Sequence, residues 1–340
     1  MPRKILITGG LGYLGVKLAN YLSKNPQALN WNSRTERIKT IDLLDVKADT
    51  PNKRLLKQEH EIFVADPSDN DKTLDYMVKG NYDTIFHFGG APSGACQKDP
   101  YLGQENIKAT ETVLVAASRI YKKGGREKTR VIFPSSLLAF ENIGRIYDCT
   151  EPNAKMPYGK SKLESERKGA YCLGADFRAL RVSTVIARRE PSTAVTAYNY
   201  NLPNKLLMGE DCTVPVDRNF VHPIIWIDDV INGFVKLHNL NEGQLAGKNN
   251  RPYRVFNITS HPIMAEDWAS IVESYKNRLP WKLGDVIWKK GTEEDLKILN
   301  AAGKYINGKL ASSYGITAST SPKEMVENIY EQILMERNVK

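Results

Sequence analysis

Short apolar runs bounded by turn residues recur through the first half of the chain: Lys4–Thr8, Ile38–Asp42, Ile62–Ala65, Thr84–Phe88, Arg130–Pro134 and Arg178–Val185. Each has strand length and the β-branched or aromatic residues that suit a buried strand. Between most of them lie longer stretches, Tyr13–Ser23, Asp71–Lys79, Gly103–Lys122 and Pro157–Leu173, where apolar residues return every three to four positions. That spacing lays an apolar stripe along one side of a helix. Strands alternating with helices over this length predict an α/β fold, a Rossmann-type doubly wound parallel sheet covered on both faces. Beyond about Arg188 the pattern loosens. Helices are predicted at Asp229–Asn239, Ala265–Arg278, Glu293–Ala301 and Pro322–Arg337, and a strand at Tyr253–Thr259. The last helix opens with Ser321-Pro322-Lys323-Glu324, a capping box with proline at the first helical position. The expected division is residues 1–187 as the sheet domain and 188–340 as a smaller substrate-binding part, with segments about 225–260 returning to the sheet.

Composition narrows the classes without choosing among them. The chain has 340 residues, 41% hydrophobic and 26% charged, which is ordinary for a globular protein. No run of ~18 apolar residues exists to span a bilayer, and the apolar stretch at the N-terminus is too short for a signal peptide. Cys96, Cys149, Cys172 and Cys212 form no CxxC pair and the histidines no HExxH, so neither a disulfide framework nor a metal site is expected. A cytoplasmic protein is expected. The net charge is +9, yet basic residues are scattered and cluster only as the pairs Lys122-Lys123 and Lys289-Lys290. That distribution argues against nucleic acid or a membrane surface as partner and reads as an ordinary solvated surface.

Thr8-Gly9-Gly10-Leu11-Gly12-Tyr13-Leu14-Gly15 follows the first strand directly and opens the first helix. Glycines at 9, 12 and 15 permit a tight turn, close packing of helix on strand, and approach of backbone N–H groups to a pyrophosphate. The turn, with Tyr13 and Leu14, is therefore read as a dinucleotide cradle. The second strand is read as ending at Asp42, whose carboxylate would accept ribose hydroxyls and repel a 2′-phosphate, favouring NAD over NADP. The wide interval from Gly15 to Asp42 is assigned to a surface insertion around Asn25–Thr35; Arg34 and Arg37 there leave NADP disfavoured but not excluded. Asp66, after the third strand, is placed to meet the adenine. Gly89 belongs to a small-residue stretch after the fourth strand that would let the cofactor lie on the backbone, and His87 is read as a packed strand residue.

Tyr158-Gly159-Lys160-Ser161-Lys162 begins a helix, and Ser135-Ser136 ends the fifth strand. Tyr158 and Lys162 lie one turn apart on one helix face. A phenol with a pKa near 10 is a poor base at neutral pH, but an ammonium and a cationic nicotinamide beside it both favour the phenolate. Ser136 could hydrogen-bond the same substrate oxygen.

With the glycine turn, Asp42, Asp66, Glu105-Asn106, Pro134-Ser135-Ser136, Tyr158/Lys162 and Trp226-Ile227-Asp228-Asp229 in this order, the chain resembles the extended short-chain dehydrogenase/reductases, the NAD-dependent epimerase/dehydratase family. The resemblance implies Ser136, Tyr158 and Lys162 as the catalytic triad and Asn106 as a supporting residue near the cofactor. It also implies a homodimer through the helices Gly103–Lys122 and Pro157–Leu173. Leu137 stands where dehydratases of the family carry an acidic residue. Thr184 replaces an asparagine and His222 an arginine of the sugar-nucleotide members. These departures are more similar to members that oxidise free sugar acids. Arg188, with a planar fork that matches a carboxylate, then becomes the candidate grip for the substrate, with Thr184, Ser136 and Ser93 as further contacts. The expected activity is NAD-dependent oxidation or reduction of a secondary alcohol of a small polyhydroxy or sugar acid. The alternatives are nucleotide-sugar epimerisation and non-catalytic dinucleotide sensing.

Overall fold

The computed structural model describes residues 2–124, 127–141, 144–192, 194–245, 254–301 and 303–338. These fall into two compact units. The first comprises Met1–Ala139, Ala154–Arg181 and Ile231–Phe256.

In the first unit the strands are β1 (Arg3–Thr8), β2 (Asn30–Trp31), β3 (Arg34–Thr35), β4 (Ile38–Asp45), β5 (Ile62–Val64), β6 (Thr84–His87), β7 (Arg130–Ser136), β8 (Asp176–Val182) and β9 (Val255–Asn257). The helices are α1 (Tyr13–Lys24), α2 (Asn70–Gly80), α3 (Ser93–Lys98), α4 (Tyr101–Lys122), α5 (Pro157–Tyr171) and α6 (Ile227–Asn239). Seven strands form one sheet in the order β9-β8-β7-β6-β1-β4-β5. β1 pairs in parallel with both β4 and β6, so the winding reverses direction beside β1. In doubly wound sheets that reversal opens the ligand crevice at the carboxyl ends of the strands. The apolar stripes of α2 (Leu74, Met77) and α4 (Val113, Leu114, Ala116, Ala117) are buried against Leu6, Leu44, Ile85, Val131 and Phe177 of the sheet.

The insertion predicted at the surface carries an exposed hairpin, with residues 32–35 at the surface, anchored by the buried Leu29 and Trp31. β2 and β3 form a hairpin whose central residues Asn32 and Ser33 have φ of 48° and 63°. Two positive φ values in a two-residue loop match the right-handed twist of the strands. Trp31 is 2% exposed, with the Arg3 guanidinium over its ring at 4.8 Å and His238 edge-on at 5.0 Å. An indole that apolar drives the segment into the protein. Nearby, Asp176 accepts from Arg130, Arg178 and Arg254 at 2.7, 2.8 and 2.7 Å. Arg178 also donates to the carbonyls of Leu237, His238 and Leu240, satisfying the open end of α6.

The second unit comprises Phe140–Asn153, Val182–Val230 and Asn257–Lys340. It holds a three-stranded sheet of Thr184–Ile186, Val221–Trp226 and His261–Met264, and two-stranded pairs Cys212–Val214 with Val286–Trp288 and Arg145–Tyr147 with Tyr305–Asn307. Its helices include Tyr198–Leu207, Ala265–Glu273, Glu293–Ala301 and Pro322–Glu336, the last with its capping box formed. Residues 140–153 and 182–187, on the sheet side of the division expected at 187/188, belong to this unit, and residues 231–256, within the 225–260 expected to return to the sheet, belong to the first. Tyr253, the predicted start of a strand, lies outside the described residues. Among the described residues no helix is long and apolar enough to cross a membrane.

Candidate active site

The glycine turn sits at the carboxyl end of β1, where the sheet reverses. Gly9 has φ +64°, and a Cβ there would lie 2.6 Å from the Gly89 nitrogen. A Cβ on Gly15 would lie 2.3 Å from the Gly9 carbonyl oxygen. Two stretches of backbone therefore meet at Gly9 and Gly89 with no room for a side chain. Gly89 is held by donating its N–H to Thr8 Oγ1 at 3.2 Å. Gly12 is the N-cap of α1 and offers no capping side chain, which leaves the helix N-terminus as a site for an anion. Tyr13 and Leu14, both half-buried, form its first turn. The residues present fit the pyrophosphate of a dinucleotide.

The acidic residue beside this turn is Asp45, not Asp42. β4 runs three residues further than the apolar run suggested, and Asp42 lies opposite Leu6 inside the sheet, accepting the Tyr82 hydroxyl at 2.8 Å. Asp45 ends the strand; its Oδ2 accepts the Leu11 N–H of the glycine turn at 2.9 Å and its Oδ1 the Val46 N–H at 2.9 Å. Thr50 Oγ1 donates to the Leu11 carbonyl at 2.9 Å, fastening the following loop to the same turn. The signal was present in the sequence, since Leu43-Leu44 continues the apolar run past Asp42. Arg34 and Arg37 flank the opposite end of β4, about 23 Å away at the rise of a strand, so they cannot neutralise a phosphate at the turn. Asp66 is exposed after β5, where its Oδ1 accepts both the N–H and the hydroxyl of Ser68 at 2.8 Å.

Ser136 ends β7, and its Oγ accepts the Leu138 N–H at 3.1 Å. With that lone pair engaged, its own O–H is available to donate. α5 begins at Pro157, pre-set for a first helical position. A Cβ on Gly159 would lie 2.1 Å from the Leu138 carbonyl oxygen. The glycine between Tyr158 and Lys162 therefore lets α5 close against the turn that follows Ser136. Lys162 is 8% exposed, with Nζ 5.5 Å from the centre of the Tyr158 ring and 4.5 Å from that of Phe133. Burial pushes its ammonium down to about 8 and pushes the Tyr158 phenol above its ordinary range. From the sequence, a lowered phenol is expected. In the protein alone burial sets the shift, and Cys96 adds to the rise.

The remaining first-unit residues support this corner. Asn106 does not face outward: its Oδ1 accepts the Ala91 N–H at 2.7 Å and its Nδ2 donates to the Ala91 carbonyl at 3.0 Å, clamping the loop after Gly89. Ser93, half-buried, is the first residue of α3. His87 is buried between the hydroxyls of Thr8 at 2.7 Å and Thr110 at 3.2 Å, and burial holds its pKa down to about 3.

Thr184 and Arg188 lie in the second unit. Thr184 is half-buried and pairs with Ile224. The Arg188 fork is engaged: Nη2 and Nε donate to Glu336 Oε2 at 2.7 and 3.1 Å, and Nη1 to Asn204 Oδ1 at 3.0 Å. His222 is buried against the Tyr198 hydroxyl, its pKa pushed down to about 3 by burial.

Comparison with known proteins bears on the fold and the family. The chain is 31% identical over 227 residues to D-erythronate dehydrogenase of Haemophilus influenzae, covering 63% of this chain and 65% of that one. The match thus spans less than two thirds of the relative's length. Among solved structures, L-threonine 3-dehydrogenase from Trypanosoma brucei superposes with a TM-score of 0.82 at 22% identity, covering 99% and 98% of the two chains. The nucleoside-diphosphate-sugar epimerase from Agrobacterium tumefaciens superposes with a TM-score of 0.81 at 20% identity, covering 98% and 94%. The family model of the NAD dependent epimerase/dehydratases matches residues 5–258, and the chain belongs to that family.

Proposed function

We propose that this protein is an NAD-dependent dehydrogenase that oxidises or reduces a secondary alcohol of a small polyhydroxy or sugar acid. The observation that carries the reading is the seating of Ser136, Tyr158 and Lys162 at the carboxyl edge of the sheet that holds the glycine turn. In the oxidative direction Tyr158 takes the hydroxyl proton, Ser136 donates to the substrate oxygen, and the Lys162 ammonium stabilises the phenolate. A bound nicotinamide supplies the redox step by accepting hydride from the carbon. Gly9, Gly12, Tyr13, Leu14, Gly15 and Gly89 shape the bed for its pyrophosphate. Asp45 takes the ribose-binding role assigned to Asp42 and disfavours a 2′-phosphate, and Asn106 supports the bed through the Ala91 backbone.

The small-acid reading rests on the sequence match to a D-erythronate dehydrogenase and on Leu137, Thr184 and His222, which depart from the sugar-nucleotide pattern. A substrate carboxylate at Arg188 would replace Glu336 on the fork. A homodimer through α4 and α5 would bring their exposed positions together, including Lys108, Val115, Arg119 and Arg167; light scattering of the purified protein would read it. Reduction of NAD and of NADP, followed with a panel of sugar acids and with uridine and guanosine diphosphate sugars, tests the function. Turnover of the acids supports it. Interconversion of nucleotide sugars without net reduction would make the protein an epimerase, and binding without turnover a sensor.

A further inference from the structure

Glu166 is a buried carboxylate on the proposed catalytic helix that the reaction scheme above does not use. It stands on α5 one turn beyond Lys162 and two beyond Tyr158, and is 3% exposed. Arg181 of β8 donates to it through Nε at 2.8 Å and Nη2 at 2.6 Å. Ser135 Oγ donates to its Oε1, and Ser135 is the residue before Ser136 on β7. One carboxylate thus fastens three elements, two of which carry Ser136, Tyr158 and Lys162.

A buried ion pair is by itself a weak source of stability, since apolar side chains of the same volume often do as well. Its location suggests another role. The titratable groups facing Lys162 are Tyr158 and Glu166 on α5, Cys96 on α3 and His87 on β6. His87 is neutral and the Cys96 thiol is pushed up by burial, so Glu166 is the anion among them. Arg181 and Ser135 face Glu166 through their hydrogen bonds to it. A fixed negative charge near the Tyr158–Lys162 pair makes it hold its proton more tightly, and the Arg181 charge offsets part of that field.

We propose that Glu166 is a positioning residue of the reaction: tied to Arg181 and Ser135, it seats Ser136 against Tyr158 and sets the field in which the Tyr158–Lys162 pair loses its proton. This rests on the catalytic assignment of those three residues.

The test is the pH profile of kcat/KM for alcohol oxidation by the full chain. Glu166→Gln keeps the shape and an acceptor while leaving the Arg181 charge, so the apparent pKa of the pair should fall by about 0.5–1 unit. Arg181→Gln leaves Glu166 uncompensated, so it should rise by a similar amount. A tie that only held the fold together would lower the yield of active protein in both without opposed shifts. Folded variants that shift together, or not at all, overturn the proposal. Where a charge-removing variant does not fold, Arg181→Lys and Ser135→Ala carry the test. Both should lower kcat several-fold at unchanged KM for the dinucleotide and unchanged apparent pKa; an unchanged kcat overturns the proposal. Tyr158→Phe is measured in parallel. If it keeps near-normal turnover, the catalytic assignment has failed. If it is inactive while the Glu166, Arg181 and Ser135 variants match the wild type, only the present proposal has failed.

Discussion

Asp45→Asn should remove most of the discrimination against a 2′-phosphorylated dinucleotide, and Asp42→Asn should leave it intact. Asp45 Oδ2 lies 2.9 Å from the Leu11 nitrogen of the glycine turn, so a ribose seated along that turn lies beside this carboxylate. Two like charges about 5 Å apart repel by about 3 kcal/mol at an effective dielectric near 20. A phosphate carrying more than one charge raises that figure, and salt lowers it again. A net preference of about 2–3 kcal/mol corresponds to roughly 30- to 150-fold in Kd. An asparagine at 45 still accepts the Leu11 N–H through its amide oxygen, so the turn survives and the ratio of the two Kd values should fall toward unity. At position 42 the substitution weakens the acceptor for the Tyr82 hydroxyl, which costs about 1 kcal/mol of stability and leaves the ratio alone. Titration of NAD and NADP against the fluorescence of the five tryptophans reads both variants. An unchanged ratio in Asp45→Asn, or a collapsed one in Asp42→Asn, would remove Asp45 from the ribose site.

Three further outcomes follow from side chains whose surroundings are now known. The Lys162 ammonium titrates at about 8 in the folded protein and near 10.4 in an unfolded chain. The unfolded state therefore binds more protons between those values, and stability rises with pH across that window. Lys162→Met should raise the urea midpoint at pH 7 by about 1–3 kcal/mol equivalent, flatten the rise above pH 8 and abolish turnover; a lower midpoint contradicts this. Asp176→Asn leaves three guanidiniums facing a neutral amide, a loss of about 3–5 kcal/mol in urea unfolding. Because those arginines hold the Asp176 carboxyl below its ordinary range, its contribution is present above about pH 3.9 and is lost as pH falls. If a substrate carboxylate competes with Glu336 for Arg188, Glu336→Gln should lower KM for the acid several-fold without changing the Kd of NAD; an unchanged or raised KM would make the pair a structural tie.

The glycine turn, the helices α1, α2, α4 and α5 and the capping box at Ser321 are legible because each is set by local chemistry, whereas the short α3 (Ser93–Lys98) carries no such signal. The tertiary corrections fall where neighbours decide. Asp42 and Asp45 are equally good strand endings in sequence, and register with β1 selects the second. Nothing local in Asn32-Ser33 shows that this exposed hairpin is anchored; the anchor is Trp31, whose indole finds Arg3 and His238 from distant segments. Arg188 reads as a free cation until Glu336, far along the chain, is placed beside it. Burial of Tyr158 raises its pKa in a way that helix spacing alone cannot show.

In the proposed reaction Tyr158 is the general base of a nicotinamide-linked alcohol oxidation. Tyr158→Phe removes one oxygen and keeps the ring, so NAD affinity should stay near that of the wild type while turnover of the preferred acid falls by roughly 10²–10⁴. Steady-state rates of dinucleotide reduction, with NAD titrated in parallel by fluorescence, provide both numbers. A variant that binds NAD normally and turns over at close to the wild-type rate would contradict the account.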